Sequence, residues 1–216
     1  MPSVISVNVG RPREADWAGI GRTAMDKRPV TGPVAVRTLG VDGDQVGDTK
    51  HHGGVDQAVY AFAREDLDWW AGELGQEIRD GMFAENLTTQ GIDVNAAEVG
   101  ERWRIGTVEL EVCSVRIPCN DFKNWMGLGG YDNQRWVKRF ADVGRPGPYL
   151  RVVTEGELAA GDELTVVHRP GHGVTVSTMF RALTTEAELL LDLLKVDGLV
   201  AQAREAAEKY GSATRG

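Results

Sequence analysis

Residues 107–115, Thr-Val-Glu-Leu-Glu-Val-Cys-Ser-Val, carry the clearest strand pattern of the chain. Val108, Leu110 and Val112 alternate with two glutamates, so one face of the segment is apolar and the other is charged. Cys113 lies out of phase with the apolar set, and we interpret it as a structural residue. The pattern predicts a strand that buries one face against a core.

Similar short segments occur on both sides of this strand, and the 27 glycines of the chain supply many turns between them. Short strands flanked by turn signals are typical of barrels and sandwiches rather than of parallel α/β sheets. We therefore expect a mainly β (α+β) fold. The other predicted strands are 1–9, 34–39, 58–62, 150–153 and 163–167.

Two helices are predicted within this β region. Apolar residues recur at helical spacing over 65–79, and Gly81 is available to end that helix. A second helix is predicted over 132–142, with Asp132 as its N-cap and Gly144 as its end. We expect most of their aromatic side chains to pack in the core.

The C-terminal part of the chain is predicted to be helical. A short helix is expected near 177–183, and Thr185 with Glu188 forms a capping box for a second helix. Asp197 is a candidate cap for the last helix. These patterns predict a domain over 1–168 and a small three-helix unit over 173–216.

Composition excludes several classes of protein. The 216 residues suit one domain, or one domain with a small appendage. With 24 basic and 32 acidic residues the net charge is −8, which argues against a nucleic-acid binder. Two cysteines are too few for a disulfide framework or a four-thiolate zinc site. Because no apolar segment approaches bilayer-spanning length and the N-terminus lacks a basic region, we expect a soluble cytoplasmic protein.

The segment Lys50-His51-His52-Gly53-Gly54-Val55-Asp56 is a first candidate site. Paired glycines let backbone amides approach a ligand closely, and a lysine or histidine beside them suits an anionic group. A tight turn with exposed histidines explains the same residues without a ligand.

Phe83-Ala84-Glu85-Asn86-Leu87 is a second candidate. Glu85 and Asn86 lie between apolar residues, as a polar pair entering a pocket would. A buried carboxylate then needs hydrogen-bond partners. A solvated turn is an equally good interpretation.

Arg116-Ile117-Pro118-Cys119 follows the best strand. A cysteine close to a fixed cation has the surroundings of a stabilised thiolate, which serves as a nucleophile or a soft metal ligand. A buried small hydrophobic residue is the alternative for Cys119.

Together these segments resemble the MOSC-domain family, named after the C-terminal domain of molybdenum cofactor sulfurase, and specifically its YiiM type. The trailing helices resemble the three-helix domain that often follows in this type. Ala84 departs from the pattern, since the family more often has glycine there. The matching segments are Gly43-Asp44-Gln45, His52-Gly53-Gly54-x-Asp56-x-Ala58-Val59-Tyr60, Phe83-x-Glu85-Asn86-Leu87 and Arg116-x-Pro118-Cys119.

The resemblance implies a MOSC-type β-barrel with peripheral helices that binds the molybdenum cofactor, a pterin dithiolene carrying a phosphate. By the same resemblance Cys119 ligates molybdenum, and Cys119, Glu85 and His52 are the candidate catalytic residues. The candidate cofactor-binding residues are Lys50, His52, Gly53, Gly54, Asp56, Asn86, Leu87 and Arg116.

The leading functional hypothesis is a molybdenum-dependent reductase of N-hydroxylated compounds, such as hydroxylamines, amidoximes and N-hydroxylated bases. Its electrons would come from a separate reductase, because the chain has neither spare cysteines for an iron–sulfur cluster nor a dinucleotide fingerprint. The alternatives are a cofactor carrier, a sulfur-transfer protein using a Cys119 persulfide, and a metal-free thiol hydrolase with His52 as base.

The predicted C-terminal helices have several candidate roles. A lid, a contact in a homodimer and a docking site for the reductase are functional interpretations. A packed stabilising appendage is the interpretation that we favour.

Overall fold

A computed structural model describes residues 1–49 and 52–214 of the chain. The strands are β1 (Ser3–Val9), β2 (Arg13–Glu14), β3 (Arg22–Thr23), β4 (Arg28–Pro29), β5 (Val34–Arg37), β6 (Gly40–Val41), β7 (Val59–Ala63), β8 (Leu87–Gln90), β9 (Arg102–Ile105), β10 (Val108–Val115), β11 (Pro148–Thr154), β12 (Gly156–Leu158) and β13 (Leu164–His168). The helices are α1 (Arg64–Leu74), α2 (Asn120–Leu128), α3 (Trp136–Val143), α4 (Val176–Thr184) and α5 (Ala201–Ala213), with 3-10 helices at Val55–Gln57 and Ala187–Lys195.

The largest sheet has eight strands in the order β13-β9-β10-β11-β7-β8-β1-β4. Its neighbours are antiparallel except for the parallel pair β7 and β8. The predicted strand at 108–112 is confirmed and continues to Val115, between β9 and β11. The structure is therefore a mixed α+β fold, rich in sheet and with several helices, rather than mainly β.

A closed barrel, as the sequence predicted, is not confirmed. Where β1 approaches β13, Ser3 and Glu163 form one isolated bridge, and the Leu164 amide donates to the Pro2 carbonyl. Gly161 and Asp162 lie in the turn before β13. The Val4 amide donates to the Asp162 carbonyl, and the Gly161 amide donates to the Val4 carbonyl. The pairing between β1 and β13 stops there, so the sheet stays a mixed, open ladder.

The predicted helix over 65–79 ends earlier than expected. Gly75, with φ of 65°, ends α1 after Leu74, ahead of Gly81. Ile78 is still buried, so it belongs to the core but not to the helix. The apolar spacing thus found the buried face and overestimated the length of the helix.

The predicted start of the helix over 132–142 is also wrong. The Asp132 side chain accepts a hydrogen bond from the Gln134 amide at 3.0 Å, which forms a local turn instead of an N-cap. Arg135, with φ of 52°, is the residue that precedes α3. Gly144 ends the helix in the left-handed conformation, as expected.

Helix α2 was not predicted from the sequence. It begins directly after Cys119 and buries Phe122, Trp125 and Met126 on one face. The spacing of these three residues is the signal that identifies it in retrospect. Its presence places Cys119 at the N-cap position of a helix rather than at the end of a strand.

The C-terminal segment forms α4, the 3-10 helix at Ala187–Lys195, and α5. The predicted caps are wrong: Thr185 ends α4, and Val200, not Asp197, is the N-cap of α5. No helix in the described ranges is long and apolar enough to cross a bilayer. The buried side chains of these helices join the same hydrophobic core as the sheet. The division into domains over 1–168 and 173–216 stays a prediction.

A cluster of aromatic side chains joins the helices to the sheet. The rings of Trp70 and Trp136 are 4.8 Å apart between centroids, and Phe83 packs edge-on against Phe122 at 5.2 Å. Phe140 extends the cluster toward the C-terminal helices. These rings are at most 1% exposed, which agrees with the expectation that most aromatics are core residues. They fix the position of α2 behind the candidate site.

Candidate functional site

A cavity of about 170 Å³ collects most of the polar residues that the sequence motifs singled out. It is lined by the loop after β6, the turn before β7, the segment before β8 and the start of α2. The predicted site residues that line it are His52, Gly53, Asn86, Arg116 and Cys119. Three segments far apart in the sequence therefore meet here.

Cys119 lies at the cavity wall and is partly exposed. As the N-cap of α2 it lies at the positive end of that helix, which favours a negative charge. The Arg116 guanidinium is close enough for a favourable electrostatic interaction with the thiolate. A thiolate in these surroundings suits a soft metal or an electrophilic ligand.

Arg116 is a buried cation that lines the same cavity. Its Nη1 donates to the Phe83 carbonyl at 2.6 Å, and its Cζ lies 4.2 Å from the centroid of the Phe122 ring and 5.2 Å from that of Tyr60. Within the described ranges it forms no salt bridge. Since a buried charge is costly without a counter-ion, this side of the cavity favours an anionic ligand.

A second buried cation, Lys27, was not found from the sequence. Its Nζ forms a salt bridge with Asp44, which also accepts from the Gly10 amide at 2.7 Å and from Asn86 Nδ2 at 2.9 Å. Burial lowers the pKa of Lys27, and the Asp44 carboxylate opposes that effect. The motif containing Asp44 was noted, but no local pattern marked Lys27 as its partner.

Asn86 is held rigidly at the cavity wall. Its Oδ1 accepts from the Tyr60 amide at 3.1 Å, and its Nδ2 also donates to the Asn8 carbonyl at 3.2 Å. The side chain thereby ties β7, β1 and the loop of Asp44 together. The solvated-turn interpretation of this segment is wrong for Asn86, which is 4% exposed.

Glu85 is fully buried and does not line the cavity. Its Oε1 accepts from the Gly81 amide at 2.5 Å and from Thr88 Oγ1 at 3.0 Å, while Oε2 has no partner among the described residues. Burial raises the pKa of Glu85 to about 7. Ala84 before it lines the cavity with φ of 60°, a conformation that glycine adopts more readily.

The paired glycines form a turn that requires glycine. Gly53 and Gly54 have φ of 83° and 81°. A Cβ on Gly53 would lie 3.1 Å from Val46 Cγ2, so the backbone approaches that loop closely. His52 is exposed and lines the cavity, whereas the predicted contact of Lys50, like His51, lies outside the described residues.

Other predicted site residues have different surroundings. Asp56 forms a salt bridge with Arg151 at 2.8 Å, and its carbonyl accepts from Cys113 Sγ at 3.1 Å. Leu87 is fully buried in the core, and Gly54 does not line the cavity. Burial raises the pKa of Cys113 to about 12, in agreement with its structural interpretation.

The mouth of the cavity is apolar. The apolar rim consists of Ile20, Leu39, Val46 and Ile117, each of which is exposed although its side chain is aliphatic. Exposed aliphatic side chains around a polar interior are typical of a binding site. The cavity therefore suits a molecule with both an anionic and an apolar part.

The described residues contain no group of three or more histidine, cysteine, aspartate or glutamate side chains that could hold a metal ion. Cys119 is the thiol that lines the cavity. A metal held here by that thiolate would need its other ligands from a second molecule, as a dithiolene provides them.

Comparisons with known proteins agree with this placement. A model of the MOSC domain matches residues 48–165. The protein YflK of Bacillus subtilis is 29% identical over 175 residues, covering 81% of this chain and 77% of YflK. A protein named reductase from Gibberella moniliformis is 29% identical over 174 residues, covering 77% of this chain but 29% of that longer protein. The crystal structure of YiiM from Geobacillus stearothermophilus superimposes with a TM-score of 0.79 at 25% identity, over 97% of this chain and 99% of YiiM.

Proposed function

Because the chain belongs to the MOSC-domain family, we propose that it binds the molybdenum cofactor in this cavity and reduces N-hydroxylated compounds there. The family match and the similarity to YiiM confirm the resemblance drawn from the sequence motifs. The observation that carries the proposal is the pairing of one accessible thiol, Cys119, with one buried cation, Arg116, that forms no salt bridge among the described residues.

These residues fit a metal–dithiolene with a phosphate. The Cys119 thiolate would ligate molybdenum, and Arg116 would neutralise an anionic group of the pterin. The turn at Gly53 brings backbone close to the cavity without a side chain in the way. Asn86 and Asp44 hold the wall beside Lys27, so little reorganisation is needed on binding.

Reduction of an N–OH group to N–H breaks the N–O bond and releases water, which consumes two electrons and two protons. When bound, the molybdenum cofactor supplies a redox centre that can accept oxygen. Among the chain's residues, exposed His52 at the cavity is the better candidate to deliver a proton. Glu85 is buried behind the cavity wall. It would affect the site through its electrostatic interactions with Lys27 and Arg116 rather than by direct proton transfer.

The electrons would come from a separate reductase. The chain has two cysteines, and Cys113 is buried in β10, so it lacks the four thiolates of an iron–sulfur cluster. The Gibberella relative carries a segment similar to this chain within a longer protein named reductase, which supports a redox role. The apolar rim would receive the non-reacting part of the substrate.

The test is to produce the protein in a host that makes the molybdenum cofactor. Bound molybdenum and pterin are measured, and reduction of benzamidoxime is assayed with a chemical electron donor. Cys119→Ala is expected to lose molybdenum and activity, whereas the control Cys113→Ala keeps both. Full metal and full activity in Cys119→Ala would refute the proposal.

Two further results would redirect the assignment. Bound cofactor without reduction of any N-hydroxylated compound would support a carrier. A labile additional sulfur on Cys119, detected by mass spectrometry, would support sulfur transfer.

A further inference from the structure

A second cavity, of about 700 Å³, lies on the other side of the segment that carries β2, β3 and β4. We call it the arginine groove, and its volume lies in the range of sites for small molecules. The site proposed above uses none of its residues. The side chains that matter here are Arg13, Trp17, Asp26, Arg28, Arg79 and Trp125.

Three guanidinium groups converge on one carboxylate in the groove. Asp26 Oδ1 lies 2.7 Å from Arg28 Nε and 2.8 Å from Arg79 Nη2, and Asp26 Oδ2 lies 3.2 Å from Arg13 Nη1. In this cluster one negative charge faces three positive charges, and Glu77 is a second carboxylate that lines the groove, so positive charge still exceeds negative charge there. Burial lowers the pKa of Arg79, and the nearby Arg28 charge acts in the same direction. An anion would relieve this crowding in a chain whose net charge is −8.

An aromatic surface lies beside these charges. The rings of Trp17 and Trp125 are stacked at 6.2 Å between centroids with 26° between planes, and Arg13 Cζ lies 5.7 Å from the Trp125 centroid. Trp125 Nε1 donates to the Met82 carbonyl at 2.8 Å, which fixes the inner ring. Trp17 is partly exposed, so its ring is available to a ligand.

We propose that the arginine groove binds a planar aromatic anion of the mononucleotide class. Its ring would stack on Trp17, and its phosphate would lie between the exposed guanidinium groups of Arg13 and Arg28. Stacking on a tryptophan and charge-assisted bonds from arginine are the two interactions that such a ligand needs. This site is independent of the cofactor and of any turnover.

The test uses the full chain and isothermal titration with adenosine monophosphate, adenosine and inorganic phosphate. Adenosine monophosphate is expected to bind at least tenfold more tightly than either part alone, and more weakly as sodium chloride is raised. Trp17→Leu and the double variant Arg13→Gln/Arg28→Gln are each expected to weaken binding at least tenfold.

The controls match these changes elsewhere on the surface. Trp69→Leu removes another exposed tryptophan, which has the Arg145 guanidinium 5.7 Å from its ring centroid, and Arg104→Gln removes another exposed arginine. Both are expected to bind adenosine monophosphate as the parent does.

The proposal is overturned if millimolar adenosine monophosphate gives no binding, or if all four variants bind it equally. If inorganic phosphate bound as tightly as adenosine monophosphate, the proposed stacking of the base on Trp17 would be overturned. Because Arg13 and Arg28 are exposed, the double variant keeps the test valid even if Trp17→Leu fails to fold.

Discussion

Replacing Glu85 by glutamine should change how the stability of this protein depends on pH. The carboxyl group is fully buried, and burial raises its pKa from 4.5 to about 7. Since the folded state holds this proton more tightly than the unfolded chain, folding takes up a proton between these two values. Raising the pH through this window therefore destabilises the folded state, by about 3 kcal/mol in total. The loss is complete about one pH unit above 7, where Glu85 is ionised in the folded state as well.

The amide of Glu85→Gln keeps an oxygen for the Gly81 amide and the Thr88 hydroxyl but takes up no proton. The difference in unfolding free energy, parent minus variant, should fall by about 3 kcal/mol between pH 4.5 and pH 8. A constant cost of the new amide shifts this difference equally at every pH and so does not affect its change with pH. The titration of Asp66, whose pKa is also raised by burial, is common to both proteins and cancels. Urea unfolding at several pH values measures it. A difference that stays constant across the range would refute the reasoning.

Two further predictions concern matched pairs of residues. In the native protein at pH 8, a disulfide reagent such as dithiobis(nitrobenzoate) should modify Cys119 rapidly and Cys113 slowly, because Cys113 is 2% exposed and burial raises its pKa to about 12. Loss of the rapid phase in Cys113→Ala rather than in Cys119→Ala would contradict this. Trp103→Phe should cost about 1–3 kcal/mol more unfolding free energy than Trp136→Phe, because Trp103 Nε1 donates to buried Glu101 at 2.8 Å whereas Trp136 Nε1 has no partner among the described residues. Equal losses in urea unfolding would show that this hydrogen bond contributes nothing.

The sequence predicted the fold best where a local pattern is compatible with only one kind of secondary structure. Alternation of apolar and charged residues identified β10, because in a strand successive side chains point to opposite faces, one buried and one partly exposed. Helix ends were predicted poorly, since Gly75 and Gly81 both offer a stop and only the packing of Ile78 decides between them. Helix α2 was missed because it is short, with only nine residues, although the spacing of Phe122, Trp125 and Met126 carries a helical signal.

The candidate site shows the same limit. The motifs contain His52, Gly53, Arg116 and Cys119, which line one cavity, but they treated Glu85, Asn86 and Leu87 as one unit. Successive residues entering a strand point in different directions, so Asn86 lines the cavity while Leu87 enters the core.

The two buried cations of the cavity show where an anionic ligand would be needed. Lys27 is neutralised by Asp44, which the amide groups of Gly10 and Asn86 hold in place. The direct contacts of Arg116 are instead a carbonyl oxygen and two aromatic faces, while Cys119 and Glu85 act on it through space without forming a salt bridge. Replacing a buried cation by an apolar residue would cost little if its only task were to fill space. A ligand that brings both a negative charge for Arg116 and a partner for the sulfur of Cys119 would fit this arrangement.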